Sequence, residues 1–182
     1  MRKLLLISLA FAACTLAGLA AYVGARPAAA GWQEIAWPFP RDGWPAGRAF
    51  RCDVALCGET VELYVRPKIG FCNCDSGVAD DDEVDRVADI DLINARFVAD
   101  QPGRVVQLAD MSGRIRSYSL QMPDGSRHAV LGLAVSRRCD LVVAAARGVS
   151  GARLQQLALD FLGKDDVRQW MTAALDGRGI DP

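Results

Sequence analysis

From Leu4 to Val23 the chain carries no charged side chain, and the only charges ahead of that run are Arg2 and Lys3. A short positive segment followed by about 20 apolar residues is a targeting or anchoring signal, with the positive flank left in the cytoplasm. At 1.5 Å per residue such a run spans a hydrocarbon core of about 30 Å, so the sequence predicts an N-terminal hydrophobic helix. Residues 1–30 are therefore read as a signal peptide or membrane anchor, and residues 31–182 as one exported domain. Three fates fit the segment: an uncleaved anchor, cleavage after Ala28-Ala29-Ala30, or lipidation at Cys14. Each puts the domain outside the cytosol, on the periplasmic side of an inner membrane or secreted.

Taking Arg2, Lys3 and Arg26 away from a formal net charge of −1 leaves −4 on that domain. A mildly acidic module has no electrostatic reason to bind nucleic acid. A protein partner or a membrane surface is the expected contact.

Along residues 31–182 the periodicity changes character twice. Gly31 to Gly47 holds Trp32, Trp37, Trp44 and three prolines, a composition that predicts an extended strap. The three tryptophans are expected to pack on a sheet, with stacking on sugars or a peptide as the alternative. Phe50, Cys52 and Val54 then alternate. Val61, Leu63 and Val65 face one way and Glu62, Tyr64 and Arg66 the other, which predicts a hairpin turning at Cys57-Gly58. The acids Asp80 to Glu83 suit a helix start, placed here from about Asp81 to Phe97. Further strands follow at Val105–Leu108, Arg114–Met122, His128–Val135 and Cys139–Ala146, with turns at Met111-Ser112-Gly113 and Pro123-Asp124-Gly125. Two amphipathic helices close the chain, one through Leu154, Leu157, Ala158, Phe161 and Leu162, the other through Val167, Trp170, Met171, Ala174 and Leu175. Strands in runs and helices in runs predict an α+β fold: an antiparallel sheet of about six strands with helices on one face.

Apart from Cys14 the chain has five cysteines: Cys52, Cys57, Cys72, Cys74 and Cys139. Exported cysteines pair by default, and five cannot all pair within one chain. A structural reading makes two staples, such as Cys52–Cys57 across the hairpin or one hairpin cysteine to Cys72 or Cys74. Cys139 is then buried at the start of a strand. Cys72-Asn73-Cys74 places two side chains on the same side of an extended segment, with α-carbons about 6.5–7 Å apart, too far for an easy bond to each other. Each is expected to bond elsewhere, and the short link from the hairpin places Cys52, Cys57, Cys72 and Cys74 in one cluster. The chemical alternative is a thiol-dependent redox or soft-metal site for copper or zinc centred on Cys72 and Cys74, with Arg66 and Lys68 favouring thiolate.

Asp85 and Asp89 lie four apart on the expected helix and repel unless a cation intervenes; the acidic run is read as a solvated helix face. It lacks the calcium-loop pattern of alternating acids, a glycine and a distal glutamate. His128 is the sole histidine, so no Ser-His-Asp set is signalled, and no phosphate-binding glycine loop occurs. Nothing in the sequence argues positively for an enzyme or for a resident cofactor. The sequence reading is an accessory or binding module.

Overall fold

The computed structural model describes residues 31–40, 42–71, 74–148 and 150–177. The hydrophobic segment 1–30 and Cys72 lie outside the described residues, as do the expectations that fall on them. Among the described residues no helix is long and apolar enough to cross a membrane.

Eight strands form one antiparallel sheet: β1 (Trp32–Ile35), β2 (Arg48–Cys52), β3 (Val61–Lys68), β4 (Phe97–Ala99), β5 (Arg104–Leu108), β6 (Met111–Gln121), β7 (Arg127–Arg137) and β8 (Asp140–Arg147). Their order is β1-β2-β3-β8-β7-β6-β4, and β5 pairs with β6 beside β4. Two strands exceed the six expected because the strap opens with β1 and the end of the expected acidic helix is β4. The longest-range neighbour relation, β3 against β8, puts the hairpin in the middle of the sheet, and all eight β3 residues are buried.

Helices cover both faces, which corrects the one-sided expectation. On one face α4 (Gly151–Leu162) and α5 (Asp165–Leu175) bring Leu154, Ala158, Phe161, Leu162, Val167 and Met171 onto Leu63, Val65, Leu133 and Ala144. The stripes expected from the sequence are the ones buried, and Trp170 packs half-buried at the margin. On the opposite face α2 (Asp81–Val87) and α3 (Ile90–Ile93) bring Val84, Val87 and Ile90 onto Tyr64, Tyr118, Val130 and Val143. A strand covered on both faces must be apolar on both or carry paired charges. β8, reading Leu-Val-Val-Ala-Ala-Ala from Leu141, takes the first course. β3 takes the second.

The single helix expected over residues 81–97 breaks at Asp89, whose backbone is left-handed with φ 60°. α2 ends at Val87, α3 adds one turn, and Phe97 begins a strand. The expected turn at Met111-Ser112-Gly113 is instead the start of β6, and the chain turns at Ala109 and Asp110. Gly113 is a strand residue for want of room: a Cβ there would stand 2.0 Å from the Ala134 carbonyl oxygen.

The strap lies over the sheet through its aromatic rings. Trp32 meets Phe161 at 4.5 Å between centroids on the α4 side, while Trp37 and Phe39 pack edge-on against Tyr64 on the other. Gly47 lets it pass, since a Cβ would fall 2.6 Å from the Trp37 ring and 2.2 Å from the Val65 oxygen. The tryptophans serve packing.

Candidate functional site

Two disulfides close the domain, Cys52–Cys57 and Cys74–Cys139. The first clamps a one-turn helix, α1 (Val54–Cys57), where the sequence suggested a plain turn, and Asp53 caps it by accepting from the Leu56 amide. The second overturns the four-cysteine cluster. Cys52 pairs across the sheet with Val61, at one end of β3, whereas Lys68 at the other end pairs with Leu141. Seven residue steps at about 3.3 Å separate those ends by roughly 23 Å. The chain leaving β3 therefore runs beside the β7–β8 turn, where the Gly70 amide donates to Asp140 and Cys74 meets Cys139. Cys139 is half-buried in that turn and bonded, not unpaired at a strand start. Among the described residues Arg66 and Lys68 have no thiol as partner.

They serve aspartates. The second face of β3 carries Glu62, Tyr64, Arg66 and Lys68 in a line, with Glu62 at 7 %, Arg66 at 2 % and Lys68 at 4 % exposure. Arg66 makes a bidentate pair with Asp42 at 2.8 and 2.7 Å and a second with Asp89 at 2.6 and 2.8 Å. Lys68 donates to Asp89 at 2.6 Å and to the Val87 carbonyl at 2.9 Å. Asp42 thereby ties the strap to the sheet, and its Arg66 hydrogen bonds hold its carboxyl at about 2 despite some burial. Two acids of α2 meet cations of β6: Asp81 with Arg114 and Asp85 with Arg116, while Tyr118 donates to Asp85 at 2.7 Å. Asp81, Asp85 and Asp89, four residues apart, thus form the face that docks on the sheet. The solvated-face expectation fails because β6 and β3 supply the cations that relieve the repulsion.

At the other end of β3, Glu62 is the centre of a rung across three strands, with Arg51 of β2 and Arg147 of β8 as its direct cross-strand neighbours. Oε1 accepts from Arg51 at 2.7 and 3.1 Å; Oε2 accepts from Arg147 Nε at 2.7 Å and the Tyr64 hydroxyl at 2.5 Å. Burial alone would raise this carboxyl. The bonds from Tyr64, Arg51 and Arg147 outweigh it and hold the group at about 2. Burial and the same carboxylate push the Tyr64 phenol up.

No family model matches the chain, and no curated protein is similar to it.

Beside this rung lies a cavity of about 330 Å³ lined by Thr60, Glu62, Ile93, Leu120, Met122, His128, Arg147 and Gly148. Its volume stands at the low end of small-molecule sites, about 300–1,000 Å³. β3 and β8 supply the charged wall, β6 and α3 the apolar one, and the first residues of β7 the rim. His128 shares a 3.3 Å contact with Ser126 and is exposed. A depression of similar size beside α5, lined by Ala109, Asp165, Arg168, Gln169, Thr172 and Ala173, is shallow and open and has no large apolar side chain on its wall. Among the described residues no group of three or more His, Cys, Asp or Glu side chains gathers to hold a metal.

Sequence reading singled out neither Glu62 nor Arg147 as a site residue. The signal was the second face of β3, where Glu, Tyr, Arg and Lys alternate with Val, Leu, Val and Pro. A polar row on a strand that ends up central must be paired from neighbouring strands.

The rung has a pH consequence. The folded carboxyl of Glu62 at about 2 lies below the ordinary glutamate value of about 4.3. A depressed carboxylate contributes stability that is present above the unfolded value and lost as pH falls through the folded one. The urea midpoint should fall between about pH 4.5 and pH 2, and Glu62→Gln should shallow that fall, with Asp42 accounting for part of the remainder. An unchanged slope in the variant would contradict the assignment.

Proposed function

We propose that the chain is an exported accessory or binding module, held by its N-terminal segment on the periplasmic side of a membrane or released beyond it, and that the cavity beside Glu62 is its ligand site. Two disulfides fit an extracellular or periplasmic protein. The observation that carries the binding reading is the saturation of Glu62: a carboxylate accepting from three side chains and held at about 2 neither gives nor takes a proton near neutrality. What it does is fix the Arg147 guanidinium on the lining of a cavity that also has an apolar wall. Such a wall with a few oriented polar groups is the usual form of a small-molecule site.

The test is a fragment screen by methyl NMR on the full-length chain, expressed with its own N-terminus and purified with its disulfides intact. Acids, amines, alcohols and aromatics are each titrated. Hits are expected to shift the methyls of Ile93, Leu120 and Met122. A complete set of fragments that leaves those three methyls unmoved ends the reading.

A further inference from the structure

We infer that the cavity takes a small anionic amphiphile: a monocarboxylate whose head meets Arg147 and whose short apolar tail lies against Ile93, Leu120 and Met122. The inference rests on the binding reading above and names the ligand class for that site.

Two cations and one anion make up the rung, so the charge left over is positive. Arg147 turns its Nε and Nη2 edge to Glu62, at 2.7 and 2.5 Å. The guanidinium also interacts with the Tyr64 hydroxyl, and half of the Arg147 side chain is exposed. A guanidinium so pinned along one edge offers its remaining N–H groups in a fixed direction, and a carboxylate is the planar acceptor that fits them. Both oxygens of Glu62 are already occupied by cations or a hydroxyl, which mutes its repulsion of a second carboxylate. The Thr60 hydroxyl on the same lining offers one more donor.

The opposite wall excludes a fully polar ligand. Leu120 is 2 % exposed, with Ile93 and Met122 partly buried against the same core cluster. Met122 is steadied by the Asn94 amide, which contacts its sulfur at 3.6 Å and donates to the Gln121 carbonyl at 3.3 Å. A flexible thioether beside a fixed leucine adapts to tails of differing shape. The charged wall and the apolar wall belong to one cavity of about 330 Å³, so the ligand joins both characters in one small molecule.

The experiment titrates hexanoate, hexan-1-ol and hexylammonium into the methyl-labelled full-length chain, wild type and Arg147→Gln. Hexanoate should shift the methyls of Ile93, Leu120 and Met122, hexylammonium should not, and Arg147→Gln should weaken hexanoate about tenfold, the worth of one charged hydrogen bond. A spectrum otherwise like wild type shows that the variant folds; Arg147→Lys, keeping the charge without the fork, should recover part of the affinity. If all three probes shift those methyls equally and Arg147→Gln makes no difference, the ligand class is overturned while the cavity remains a site. Should hexanoate fail where other fragments bind, the class alone falls. Failure of every fragment takes the cavity reading with it.

Discussion

Replacing Asp89 by Asn should unfold the domain at markedly lower urea, with a loss of about 3–5 kcal/mol. Asp89 answers two buried cations, Arg66 and Lys68, and it does so from a left-handed residue between α2 and α3. Asparagine adopts that backbone readily, so the loss reports the charge and not strain. With the carboxylate gone, Arg66 keeps only Asp42 and Lys68 keeps only the Val87 carbonyl, both in a region that water barely reaches. An uncompensated buried charge is costly where an exposed one is not. Asp42→Asn is the control: its side chain is 29 % exposed, so water can take over part of its role, and about 1 kcal/mol is expected. Urea midpoints at constant slope measure both. A loss at Asp89 within about 0.5 kcal/mol would mean that the two cations find solvent, and the seam between α2 and the sheet would have to be redrawn.

The second large effect lies in the disulfides, and it separates them by loop length. Cys74–Cys139 spans 65 residues and Cys52–Cys57 spans five. Loop-closure entropy assigns about 4 kcal/mol to the first and about 2 kcal/mol to the second. Removing Cys74 and Cys139 together as serines should therefore cost more than removing Cys52 and Cys57 together as alanines. Cys74→Ser and Cys139→Ser singly should be alike, because each breaks the same bond. That reverses the sequence expectation, in which Cys139 stood apart. Equal losses from the two double variants would show that the reduced chain already holds residues 74 and 139 near each other.

Much of the architecture is written in local patterns. The alternation in β3, the Asp-Gly turn between β6 and β7, and the two C-terminal stripes each follow from contacts within a few residues. What escaped depends on neighbours far along the chain. Asp81, Asp85 and Asp89 resemble a wet helix face until Arg114, Arg116, Arg66 and Lys68 are set opposite, and those cations come from two strands that are not neighbours in the sheet. Gly113 resembles a turn residue until the Ala134 carbonyl is seen to need the space. Cys52–Cys57, one of the staples expected, is present, but the four-cysteine cluster failed for the same reason. The short link from the hairpin to Cys72 suggested a return toward Cys52, whereas the β3–β8 pairing, joining residues about eighty positions apart, carries the chain to the far end. The cavity was invisible for want of this one long-range partner, since Glu62 and Arg147 come to line it together only when β8 lies beside β3.

The two bridges also differ in when they can exist. A chain is made from its N-terminus, so Cys57 follows Cys52 almost at once and that bond needs only a few residues of emerged sequence. Cys74 must wait until 65 more residues have appeared before its partner exists. During that interval the nearest thiol in the sequence is Cys72, and the earlier pair is close behind. Were Cys52 to close with Cys57 first in an oxidising compartment, those two would be out of circulation, which would narrow the wrong partners open to Cys74 before the β7–β8 hairpin forms. The small bridge, weak as a staple, would then act as a guard on the large one.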